Sequence, residues 1–360
     1  MFVAWRDLRF ARGRFALISA VVALITVLVG FLAGLTGGLA SQNVSAVLGL
    51  PGDRLVLAQP ASGQPSFAES SIDAGTGEAW RRTPGVTDVV RIGVTQGRAT
   101  GSPTAGPVAV ALLGIPHDAP SSATTDLAPP AEDEVGLSQG AAEALSVAKG
   151  DDVTLAGRTY RVALVGGDSW YSHTPVVALT PGAWSAADRA LGGSGETTLL
   201  AVTGSPDWDA VAAATGTSAA TPLRSLTALE TFRSEVGSLG LMIAMLFGVS
   251  ALVVGAFFTV WTMQRAGDVA VLKALGASTA SLVRDALGQA LVVLAIGIGV
   301  GTALVVGLGL LAGGTLPFLL SPLTTALPAA ALTALGLAGA AVALRSITSA
   351  DPLTALGSAR

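Results

Sequence analysis

The chain has no cysteine, two histidines, two lysines and few charges of either sign, 12% of 360 residues. Without cysteine there is no disulfide framework and no thiolate metal site. Two histidines outside any H-E-x-x-H pattern leave no basis for a structural zinc site. Neither Lys149 nor Lys273 lies in a G-x-x-x-x-G-K-[ST] loop, so the chain has no P-loop to cradle nucleotide phosphates. No convincing catalytic triad is present. Charge is missing in long blocks: none occurs from Val236 to Gln264 or from Ala286 to Leu344. A soluble domain carries roughly 25% charged residues, so this composition describes a membrane protein. The absence of Asp, Glu, Lys and Arg from these runs also removes any obvious intramembrane proton relay.

What is there begins with MFVAWRDLRFARGR, residues 1–14. Arg6, Arg9, Arg12 and Arg14 stand beside Phe2, Val3, Trp5, Leu8 and Phe10, the pattern of an amphipathic helix on the cytoplasmic surface. The apolar run that follows, 15–40, is too long for a signal-peptide core and reads as a first transmembrane helix. Gly30, Gly34 and Gly38 share one face of it at four-residue spacing, which predicts a close helix–helix interface, within the chain or across a homodimer. Residues 236–264 read as the second span. The charge-free run after Asp285 exceeds the roughly 20 residues of one crossing. Gly313, Gly314, Pro317 and Pro322 divide it into spans at 287–311 and 327–344, joined by an outer loop, 312–326.

Residues 41–235 hold 11 Arg and Lys against 20 Asp and Glu, net −9, whereas the remainder of the chain is basic. The short basic segments, 1–14, 265–286 and 345–360, are therefore placed in the cytoplasm and 41–235 outside. Strand signals at Val86–Val94, Val108–Ile115, Asp152–Leu155, Thr159–Val165, Val176–Leu179 and Thr197–Val202 alternate with helical stretches at Ser138–Val147, Pro181–Ala190 and Trp208–Ala214. Residues 116–135, rich in Pro, Ser and acid, are expected to form a mobile loop. The fold class is an α-helical membrane protein with four transmembrane helices and a mixed α/β extracytoplasmic domain inserted between the first and second.

The cytoplasmic segment 265–286 carries more than a turn. Asp268 is placed to cap a short helix with Val269, Leu272 and Leu275 on its apolar side and Arg265 and Lys273 nearby. Gly276 is placed to end it, and Ser278 to cap the helix of the next span. Such a helix either docks another protein or rests on the lipid interface.

The stretch G-D-V-A-V-L-K-A-L-G-A-S (267–278), the ending R-S-I-T-S-A-D-P-L-T-A-L (345–356) and L-S-Q-G-A-A-E-A-L-S-V-A-K-G-D-D-V-T-L (137–155) resemble the permease subunits of FtsX/MacB-type (type VII) ABC transporters. The resemblance implies a permease homodimer working with two copies of a separate ABC ATPase that docks on 265–286. That ATPase holds the ATP and drives motion of the outer domain. A-W-R-D-L-R-F, F-L-A-G-L-T-G-G-L-A, W-Y-S-H-T-P-V-V and F-G-V-S-A-L-V-V-G-A-F-F-T-V-W-T-M-Q are similar to the hemin-export permeases of Gram-positive bacteria. This implies haem as substrate, entering from the outer leaflet near the first two spans. It also implies no resident cofactor, no metal beyond a haem iron, and no nucleic-acid partner.

Within that resemblance, Tyr171 matches a tyrosine position, and phenolate is a haem-iron ligand type. His173 and Glu235 are further ligand candidates; Phe67 is a candidate to stack on the porphyrin and Arg233 to pair with a propionate. Ser234 lies beside Glu235, and Leu241, Met242 and Met245 offer apolar walls. The ordinary alternatives are a surface histidine, a core phenylalanine and a helix-start glutamate favoured by the dipole. Competing functions are a related permease for a lipid, peptide or antibiotic, and a non-transporting regulator of a cell-wall hydrolase.

Overall fold

A computed structural model describes residues 12–101, 106–264, 267, 271, 276–312 and 316–348. The expected amphipathic segment before residue 12 and the ending from 349 onward lie outside the described residues. The chain divides into two units, Leu39–Gly237 and the remainder.

In the first unit the described strands form one ten-stranded sheet system. Its elements are β1 (Arg54–Ala58), α2 (Ala74–Arg81), β2 (Val86–Thr100), β3 (Val108–Gly114), β4 (Glu134–Leu137), α3 (Gln139–Leu145), β5 (Asp152–Leu155), β6 (Arg158–Val165), β7 (Trp170–Tyr171), β8 (Thr174–Leu179), α4 (Pro181–Ala190), β9 (Leu199–Gly204), α5 (Trp208–Thr215) and β10 (Thr217–Ala220), preceded by the end of α1 (Arg12–Leu48). The long β2 belongs to two lobes. Its first half pairs with β9, which continues through β1 to β10. Its second half pairs with β3 and meets β5 at Ala99 and Thr100. The ladder β2–β3–β8–β4–β6–β5 thus returns to β2, a closed circuit whose strands are shielded from edge-to-edge pairing.

Period-2 alternation builds the cores. Leu55, Leu57, Leu199 and Ala201 face one cluster, while Val56, Leu200 and Val202 face another with Trp80 of α2. In β3 and β8, Ala111, Leu113, Val176 and Ala178 join the first cluster, and Val110, Leu112, Val177 and Leu179 join a third. Val44, Ala46 and Val47 near the end of α1 are buried in the first cluster. Trp184 of α4 lies over Gly93 and Gly114, register partners in β2 and β3, where any Cβ would meet the indole. Ser138, Thr180 and Asp207 cap α3, α4 and α5 through their side-chain oxygens.

Two expectations change here. β2 runs to Thr100 rather than ending near Val94, because β3 pairs its far half. Residues 116–135 are not a loose loop: Thr124, Leu127 and Ala128 are buried, and the Thr124 hydroxyl donates to the Ala46 carbonyl at 2.8 Å.

After a short turn of helix, α6 (Pro222–Ser225), come α7 (Glu230–Gln264), α8 (Thr279–Ala312) and α9 (Pro322–Thr348). Among the described residues, four helices are long and apolar enough to cross a membrane: Phe15–Leu48, Glu230–Val260, Thr279–Ala312 and Pro322–Val342. Within the second unit, Gly297 of α8 packs under Val22, Gly301 under Thr26, and Gly30 of α1 under Val305, so α1 and α8 run side by side in the same direction. Of the three α1 glycines at four-residue spacing, Gly30 is the one whose described contact is with a helix. Gly34 faces the Phe318 ring and Gly38 the Pro317 carbonyl, both in the connection between α8 and α9. The Leu319 amide donates to the Gly34 carbonyl at 3.0 Å. The described contacts of this glycine face are therefore within the chain, and two of the three are with a loop rather than a helix.

Candidate functional site

Several of the candidate residues converge at the β7–β8 turn. Tyr171 and Thr174 are register partners, which leaves Ser172 and His173 as a two-residue turn. Both have positive φ, 48° and 62°, as a type I′ hairpin turn requires, although neither is glycine. Their backbone amides donate to α1: Ser172 to the Asn43 carbonyl and His173 to the Gln42 carbonyl, each at 3.0 Å. Their side chains reach α7: the Ser172 and Thr231 hydroxyls are 2.8 Å apart, and His173 Nε2 lies 2.6 Å from Glu235 Oε1.

A third set of bonds joins the two helices directly. Asn43 Nδ2 donates to Glu235 Oε2 at 3.1 Å, and the Thr231 hydroxyl donates to Asn43 Oδ1 at 3.0 Å. Asn43 is fully buried. The His173 and Glu235 side chains remain 31% and 33% exposed, so a carboxylate held by two partners is still reachable from outside. All of these residues lie in the first unit: Ser172 and His173 in the turn, Gln42 and Asn43 near the end of α1, and Thr231 and Glu235 near the start of α7.

Other candidates fall elsewhere. Phe67 is 2% exposed and packs edge-on to Tyr171 at 6.2 Å within the core. Tyr171 is also buried, and burial pushes its phenol above the ordinary value of 10.0, which disfavours the phenolate that iron ligation needs. Burial of both side chains weighs against these two roles. Arg233 reaches Gln64 Oε1 at 3.4 Å, and Ser234 is exposed beside it. Leu241, Met242 and Met245 are exposed on α7 in the second unit. Arg265, Asp268, Val269, Leu272, Lys273 and Leu275 lie outside the described residues. Gly276 has φ +93°, a backbone conformation that favours glycine, and the Ser278 hydroxyl accepts from the Ser281 amide at 3.3 Å at the start of α8.

A cavity of 480 Å³ borders the turn at Ser172 and Thr231. Glu69, Asp188, Glu196 and Glu230 line it, and among the described residues no basic side chain does. Its sign is wrong for a dianionic ligand. Asn43, Thr231 and the cavity carry no sequence signal; Asn43 and Glu235 are neighbours only through a contact spanning 192 positions.

Residues 240–352 match the FtsX-like permease C-terminal family. Over 99% of both chains, the sequence is 23% identical to a putative hemin transport system permease protein HrtB of Staphylococcus haemolyticus. It is 26% identical, again over 99% of both chains, to an uncharacterized ABC transporter permease of Mycobacterium tuberculosis. The periplasmic region of MacB from Actinobacillus actinomycetemcomitans aligns with 49% of this chain and 92% of its own, at 12% identity and a TM-score of 0.35. The class defined by the four apolar helices and the matched segment is the ABC-type permease, a multi-pass membrane protein. The matched segment is an FtsX-like permease C-terminal domain, and the hemin transport permeases are among the full-length relatives of the chain.

Proposed function

We propose that the chain is the membrane subunit of an ABC efflux system that moves haem, driven by a separate ATPase docking on the cytoplasmic segment 265–286. The observation that carries this reading is the His173–Glu235–Asn43 cluster. It sets a reachable carboxylate near the start of α7 against an imidazole of the β7–β8 turn and an amide near the end of α1. Full-length similarity to proteins named for hemin transport supports the substrate. Glu235 offers a ligand to iron and Arg233 a cation for a propionate. In this reading the permease is a homodimer with two ATPase copies, both termini are cytoplasmic, 41–235 is extracellular, and ATP stays on the partner. Because the chain has no P-loop, its own contribution is to bind and to relay motion.

Hemin titration of the full-length protein in lipid nanodiscs tests the reading. A saturable Soret shift weakened by Glu235→Ala is expected. Wild-type protein that leaves the Soret band where free hemin in the same nanodiscs has it refutes the substrate.

A further inference from the structure

Glu235 has no idle oxygen: Oε1 is held by His173 and Oε2 by Asn43. A ligand that takes this carboxylate competes with partners already in place. His173 is also one half of the turn that ties β8 to both helices. We propose that Glu235 exchanges occupants, His173 in the empty protein and the amphiphile in the loaded one, so that substrate loading loosens the Ser172–His173 turn on α7. This rests on the reading of Glu235 as a ligand-facing residue and adds to it the event that reports occupancy to the outer domain.

Three features support an exchange rather than a fixed strut. The pair is about two-thirds buried, so its bond is worth keeping yet open to an incoming group. The turn's conformation is one that non-glycine residues adopt at a cost, so it depends on its tethers. Those tethers are of two kinds. The backbone amides hold α1 and the side chains hold α7, so loss of the His173 contact leaves the Ser172–Thr231 bond to hold the turn on α7, and the strained turn opens more often from its backbone bonds to α1. β8 lies in the middle of the closed ladder, between β3 and β4, and a shift of the turn is passed directly into it. His173 is thus a positioning residue for Glu235.

The test uses the full-length protein in nanodiscs with hemin as the probe. Removing the internal competitor in His173→Ala should tighten hemin binding about threefold to tenfold, the scale of a partly exposed charge-assisted bond. His173→Gln, which restores a donor, should return affinity toward wild type. Hydrogen exchange at residues 172–174 should rise when hemin is added to wild type, and equally in ligand-free Glu235→Ala. Weaker binding by His173→Ala overturns the proposal and makes the imidazole itself a ligand. Unchanged exchange at 172–174 in ligand-free Glu235→Ala overturns the latch, whatever the ligand. Absence of any wild-type Soret shift refutes the haem reading and the competition with it, and the ligand-free exchange comparison still decides whether Glu235 holds the turn.

Discussion

Replacing Gly38 by alanine adds one methyl group where the structure has no room. The new Cβ would overlap the Pro317 carbonyl and stand 2.9 Å from the Phe318 nitrogen. The obstacle is backbone, so no rotamer change relieves it. Either α1 or the α8–α9 connection must move, and the Leu319–Gly34 backbone bond is the nearest contact at risk. Overpacking of this kind costs about 1–3 kcal/mol, and a lost backbone bond adds about 1 kcal/mol. Alanine's helix preference over glycine returns up to about 1 kcal/mol. The net expectation is a loss of about 1–3 kcal/mol. Gly299→Ala is the matched control, because a Cβ there meets nothing within 4 Å. It receives the same propensity gain without a clash and should be neutral or slightly stabilising. The assay is the temperature at which detergent-solubilised protein loses its monodisperse peak. Gly38→Ala matching Gly299→Ala in that assay refutes the packing argument and returns the glycine face to an interface with another molecule.

Three further outcomes are expected. The protein has two tyrosines, and burial raises both Tyr160 and Tyr171 above 10.0. A group raised in the folded state keeps its stabilising effect below the unfolded value and loses it as pH climbs, so phenolate absorbance should appear only above pH 10.0, with Tyr171 ionising as the outer domain unfolds; a full step centred at the ordinary value refutes the burial. Phe67→Ala should lower outer-domain stability by about 3–5 kcal/mol in denaturant unfolding, and a stable variant that loses hemin affinity instead would restore Phe67 as a ligand contact. The Ser138 hydroxyl accepts from both the Ala141 and Val176 amides, at 3.3 and 3.1 Å. Ser138→Ala strands the buried Ala141 amide and leaves the Val176 amide only the Ser169 carbonyl at 3.2 Å, and should cost about 1–3 kcal/mol, measured the same way; no measurable loss would contradict it.

The four membrane-length helices are legible in the sequence because a charge-free apolar run that long is stable almost nowhere but in lipid. Helix α4 is legible to the residue, since Thr180 and Pro181 mark its start. β1 and β10 escape because five and four residues carry too little alternation, and α2 because Gly75 and Gly77 dilute its helical pattern. The 116–135 segment misleads because composition reports what a loop is made of, not that Thr124 is bonded to the end of α1. In the site, His173 and Glu235 each stand out singly, but their pairing joins positions 62 apart and no local spacing encodes it. Tyr171 and Phe67 stand out by residue type alone, and burial decides against that type of role.

The most direct measurement of the central claim is ATP-dependent removal of hemin from proteoliposomes containing this chain and its ATPase. Extraction is predicted to require ATP hydrolysis by the partner and to fall sharply in Glu235→Ala, with the complex still assembled. Hemin leaving the bilayer at the same rate without ATP, or an intact complex that hydrolyses ATP and leaves hemin in place, would contradict it.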